Sequence, residues 1–154
     1  MNNNDKFKNL QSIFNFSNED VVDIFNLTKA VITNKQLDNW SSKKNEANYV
    51  AMKELDLVSF LNGLIIKNRG PQDKIPPTSN QKLTNNIILK KLKIALNLKS
   101  NDVKDILSSA EQTLSNHELS AFFRKPGHKN YRPCQDSLLE SFFKGLKIKY
   151  STKK

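Results

Sequence analysis

The chain has 154 residues, 37% of them apolar and 26% charged, a balance that fits a globular protein and neither a disordered nor a membrane-embedded one. Lysine and arginine number 25 against 15 acids, for a formal net charge of +10, and the single cysteine, Cys134, excludes an internal disulfide and a cysteine-rich zinc site. No apolar run approaches the ~18 residues of a membrane span. The polar start Met1-Asn2-Asn3-Asn4-Asp5 lacks the regions of a signal peptide, so the expected compartment is the cytoplasm.

Residues 5–15 carry Phe7, Leu10, Ile13 and Phe14 at helical spacing. Ser17-Asn18-Glu19-Asp20 is a cap for the next helix, whose apolar face holds Val21, Ile24, Phe25 and Thr28. Thr33-Asn34-Lys35-Gln36 is a second such start, opening a short helix with Leu37 and Trp40. After a polar connector over 43–48, a fourth helix over 52–68 turns Leu55, Val58, Leu61, Leu64 and Ile65 inward. It stops at Arg69-Gly70-Pro71, because glycine tolerates a left-handed end and proline cannot continue a helix. A linker rich in proline follows over 71–81.

An offset of 82 lays the second half on the first without a gap. Asn4 falls on Asn86, Asn15 on Asn97, Asp20-Val21 on Asp102-Val103, Asn48-Tyr49 on Asn130-Tyr131, and Phe60-Leu61-Asn62-Gly63-Leu64 on Phe142-Phe143-Lys144-Gly145-Leu146. Helices are expected over 83–96, after a cap at Ser100 with Val103, Ile106 and Leu107 on its apolar face, over 116–125 from a Ser115–Glu118 box, and over 138–150. The first of these has a polar and basic face of Asn86, Lys90, Lys93 and Asn97, flanked by Lys91. No segment alternates as a strand does. The expected fold is all-α: a tandem duplication of a roughly four-helix unit, over 1–70 and 82–154, packed as one globule.

Residues kept in both copies are read as needs of the fold, and residues in one copy only as free for function. Gly63 and Gly145 lie inside helices, where glycine costs about 1 kcal/mol relative to alanine, so both mark a close helix crossing. Cys134, His128 and Asp136 resemble a nucleophilic set, but they fall on Met52, Glu46 and Glu54, an ordinary apolar residue and two surface residues. Neither a catalytic residue nor a metal or cofactor site is expected. His117 falls on Lys35 and is read as solvated.

Charge is unequal between the copies. Residues 1–70 carry nine basic and eight acidic groups, residues 85–150 twelve and six, and Lys153 and Lys154 add two more at the C-terminus. That asymmetry suggests an anionic partner for the second copy. Arg124, Lys125, His128, Lys129 and Arg132 form a loop with Gly127 and Tyr131, suited to phosphate contact and stacking if Tyr131 faces out, or a solvated loop if Tyr131 packs in. Segments 101–109 and 116–125 have some helix-turn-helix character and would present Asn116, His117, Ser120, Arg124 and Lys125, although the turn over 110–114 is long and lacks glycine.

Residues 85–95 (Asn-Asn-Ile-Ile-Leu-Lys-Lys-Leu-Lys-Ile-Ala), Ser59–Ile65 with Arg69-Gly70, and His128-Lys129-Asn130-Tyr131-Arg132 with Cys134 and Asp136 together resemble the YehS-like bacterial proteins. The resemblance covers nearly the whole chain, including its duplication. It implies a small bacterial cytoplasmic protein and brings no catalytic residues with it. The expected function is non-enzymatic binding of nucleic acid, DNA slightly ahead of structured RNA, by Lys90, Lys91, Lys93, Arg124, Lys125, His128, Lys129, Tyr131 and Arg132. The alternative is a protein-interaction adaptor or homodimer.

Overall fold

The computed structural model describes residues 1–70 and 82–151; the linker expected over 71–81 and the terminal lysines Lys153 and Lys154 lie outside them. Among the described residues the chain is all-α, with eight helices and no strand. It divides into two compact units, Met1–Lys82 and Leu83–Lys154.

The first unit holds α1 (Asn3–Ile13), α2 (Asn18–Asn26), α3 (Asn34–Ser41) and α4 (Glu54–Arg69). Three of these open on reciprocal caps. Ser17 and Thr33 cap α2 and α3 with Asp20 and Gln36 as the returning partners, as the sequence suggests. Asn2 and Asp5 make a third box, which starts α1 two residues earlier than apolar spacing indicates. α4 ends at Gly70, whose φ of 76° lies in the left-handed region.

One ring from each helix meets in the core. Phe7 packs edge-on against Phe60 at 5.1 Å and Trp40 at 5.9 Å, and Phe25 lies 5.5 Å from Phe60 and 5.9 Å from Trp40. The inner face of α4 is Leu57, Phe60, Leu61, Leu64 and Ile65. Leu55, expected inside, is 48% exposed, and Val58 is half-buried. Because α4 starts at Glu54, Leu55 lies in its first turn and the buried stripe runs from Leu57 at i, i+3, i+4 and i+7.

The second unit repeats this with α5 (Asn85–Ala95), α6 (Ser100–Ser109), α7 (Asn116–Ala121) and α8 (Asp136–Ser151). The counterparts of the four core rings are Leu89, Leu107, Phe122 and Phe142, all buried. Even the turns correspond: Asn15 and Asn97 have φ of 52° and 53°, and Lys29 and Glu111 have 63° and 64°. The expected cap of α6 needs correction. Lys99, at the position of Ser17, precedes the helix, and Ser100 is its first residue. Only the Asp102 carboxylate half of the box remains, accepting from the Lys99 N–H at 2.7 Å.

The paired glycines are crossing points. A Cβ on Gly63 would strike the Ile24 carbonyl oxygen and come within 2.9 Å of its Cγ2; on Gly145 it would strike the Ile106 carbonyl and come within 2.7 Å of its Cγ2. α4 therefore packs on α2, and α8 on α6, at backbone contact.

Candidate nucleic-acid interface

The connector between α7 and α8 carries Arg124, Lys129 and Arg132, basic residues that the second unit alone possesses. Its backbone matches that of the first connector. His128 N–H donates to the Lys125 carbonyl and Tyr131 N–H to the His128 carbonyl, both at 2.9 Å; Glu46 and Tyr49 make the same bonds to Lys43 and Glu46. Arg132 N–H donates to the Ala121 carbonyl as Val50 N–H does to that of Asn39, each at 3.1 Å.

Asn86 completes the anchorage. Its side-chain amide donates to the Phe122 carbonyl at 3.0 Å and the Arg132 carbonyl at 2.9 Å, and its oxygen accepts from Cys134 N–H at 2.8 Å. Asn4 makes the equivalent bonds to Trp40, Val50 and Met52. Asn86 was expected on the polar face of α5, but it is buried, as is Asn4, because it satisfies backbone groups that the irregular connector cannot pair by itself. Arg132 is thus held at both its peptide N–H and its carbonyl while its side chain is exposed.

The nine residues expected to bind separate into groups. Arg124, Lys125, His128, Lys129 and Arg132 are exposed on the connector and Lys90 on α5, while Tyr131 is half-buried. Lys93 is half-buried, its ammonium 4.8 Å from the centre of the Phe123 ring, beside the start of the connector. Lys91 does not join them. It is 8% exposed, and burial, with a smaller contribution from the charge of Lys90, lowers its ammonium pKa. It is the one of the nine that is buried, so little of it is open to a surface phosphate.

Between α7 and the connector lies a cleft of about 210 Å³. Lys129, Asn130, Tyr131 and Arg132 line one side, and His117, Glu118 and Ala121 the other. By sequence alone His117 is a solvated residue and Glu118 a cap. Their place in the cleft depends on a contact across the connector, which local spacing does not encode. The one sequence signal is the exchange of Asn39 for Ala121, which removes a half-buried amide from this position. Glu118 accepts from the Ser115 N–H at 3.0 Å. That bond and then the Ser115 hydroxyl hold its carboxyl below the usual range; desolvation opposes them, and the charge of Arg132 adds a smaller lowering effect.

Cys134, His128 and Asp136 do not converge. Cys134 is buried, His128 Nδ1 accepts from Asn130 N–H at 3.0 Å, and Asp136 accepts from Asn85 at 2.7 Å. Among the described residues no helix is long and apolar enough to cross a membrane.

Residues 3–70 and again 85–151 match the family described as "Protein of unknown function (DUF1456)". The uncharacterized protein YehS of Escherichia coli (strain K12) is 36% identical over 155 aligned residues, which cover 100% of this chain and 99% of that protein. No solved structure matches. The resemblance to YehS-like proteins is therefore borne out over the whole length, and the chain belongs to the DUF1456 family, whose unit it contains twice.

Proposed function

We propose that this chain is a non-enzymatic nucleic-acid-binding protein whose contacts come from the second unit. The observation that carries this reading is the connector. Two copies share one backbone path, yet Ser42, Ala47 and Val50 of the first are Arg124, Lys129 and Arg132 of the second. Such a set, pinned at Arg132 and exposed along its length, suits phosphate contacts. Binding of this kind weakens steeply with salt. A helix-turn-helix made of α6 and α7 would favour DNA slightly. Since α7 ends at Ala121, Arg124 and Lys125 follow it on the connector, and the proposal rests on that loop.

The test is a salt titration of binding to duplex DNA, duplex RNA and single strands. Binding at low salt that falls when Arg124, Lys129 and Arg132 are replaced together by alanine is the expected result. No binding at low salt, or a triple variant that binds as the parent does, rejects the proposal.

A second reading concerns the first unit. Leu27, Val31, Val50 and Leu55 are exposed there, Val31 at 82%, where the second unit has Ser109, Thr113, Arg132 and Ser137. An adaptor role for this unit predicts co-purification of a specific protein that survives high salt.

A further inference from the structure

The residues lining the cleft between α7 and the connector differ from their first-unit equivalents in charge and in side-chain size. Lys129 and Arg132 replace Ala47 and Val50, Ala121 replaces the half-buried Asn39, and Glu118 replaces the neutral Gln36. A pocket evolved for phosphate alone would exclude the carboxylate. Here Glu118 is the one acid in the lining, and its hydrogen bond to the Ser115 N–H favours the carboxylate. A ligand matching this lining brings hydrogen-bond donors to Glu118 and negative charge to the rim.

The volume, about 210 Å³, is below the ~300 Å³ at which pockets for drug-sized ligands begin, so it suits one ring system. Tyr131 and the Arg132 guanidinium are flat groups on which a base can stack. Lys129 lines the cleft too, and Arg124 and Lys125 are exposed on the same connector, where they can meet phosphates of the strand.

Resting on the nucleic-acid reading above, we infer that this cleft takes one unpaired base carrying an exocyclic amino group, from a strand whose phosphates lie on the connector. Cytosine, adenine and guanine offer an amino donor to Glu118. Thymine and uracil present carbonyl oxygens on both sides of their one ring N–H, and these face the carboxylate unfavourably.

The test titrates the full chain with a short oligothymidylate and with the same strand carrying one central deoxycytidine. Wild type is expected to bind the second about tenfold more tightly, the lower range of what a correctly read base edge contributes. Glu118→Gln is the informative variant. Gln36 already caps α3 from the equivalent position, its side-chain oxygen 2.9 Å from the Thr33 N–H, so E118Q keeps the cap. It is expected to melt with the parent and to lose the preference without losing affinity for plain oligothymidylate. Equal binding of both strands by wild type, or an undiminished preference in E118Q, overturns the base assignment and leaves nucleic-acid binding standing. No binding of either strand at low salt overturns the nucleic-acid reading itself. Free deoxycytidine monophosphate is expected to bind far more weakly than the strand; equal affinity overturns the assignment to a strand.

Discussion

Asn86 ties α5, the end of α7 and the connector together with one amide. Asn86→Ala leaves two carbonyls and one N–H without their partner in a buried place. Each such loss costs about 1–3 kcal/mol before water or relaxation compensates, so a net loss of about 3 kcal/mol is expected, read as a fall in the urea midpoint. Binding to nucleic acid is expected to weaken as well, because Arg132 loses one of its two backbone anchors. Lys91 gives a prediction with the opposite sense. Burial lowers its pKa in the folded state, so below the ordinary lysine value of about 10.4 the unfolded chain holds more protons. Stability contributed by this residue therefore rises as pH climbs through the folded pKa and levels off above the unfolded one. Comparing alkaline urea titrations of the parent and Lys91→Met checks the sign: the stability of the parent relative to the variant is expected to rise as pH climbs. Neither residue's environment is legible in isolation. Repetition marks Asn4 and Asn86 as needed by the fold, but their burial follows from an irregular connector whose hydrogen-bond needs no local pattern displays.

At the scale of helices, caps decide where each element begins. α7 has six residues, too few to hold themselves in water, and it starts at a complete Ser115–Glu118 box. α6 lacks the hydroxyl half because Lys99 stands where α2 has Ser17. Lys99→Ser is therefore expected to stabilise the protein by about 1 kcal/mol, the usual worth of a side-chain cap, seen as a higher urea midpoint with an unchanged slope. A midpoint that stays put would show that α6 gains nothing from completing the box. Cap chemistry is also what made the elements legible: the boxes at Ser17, Thr33 and Ser115 lie where the sequence puts them. The misjudged edges have identifiable causes. At α1 the capping pair hides in an asparagine run, and at α7 apolar Phe122 and Phe123 prolong a helical pattern after the helix has ended. The paired glycines read correctly because an interior helix glycine has few reasons other than close packing. The cleft, by contrast, is assembled from residues on two sides of a fold and was legible only on its connector side.

For the whole molecule the question is whether binding follows total charge or a built surface. A chain of net charge +10 attracts any polyanion, and duplication supplies the control. Lys35, Lys43 and Lys44 are exposed on α3 and the first connector, at the positions of His117, Lys125 and Pro126. Replacing these three by alanine removes as much charge as replacing Arg124, Lys129 and Arg132. If the second connector is the contact surface, only the latter variant loses phosphate contacts. The slope of log affinity against log salt should then flatten by about 0.9 per lost contact on duplex DNA, or about 0.7 on a single strand. The first-unit variant should keep the parental slope and shift affinity only slightly, through the long-range field that salt screens within ~10 Å at 0.1 M. Equal flattening in both variants would mean that net charge alone attracts the polyanion. The connector would then be an ordinary solvated loop, and the duplicated unit would be serving the same purpose twice.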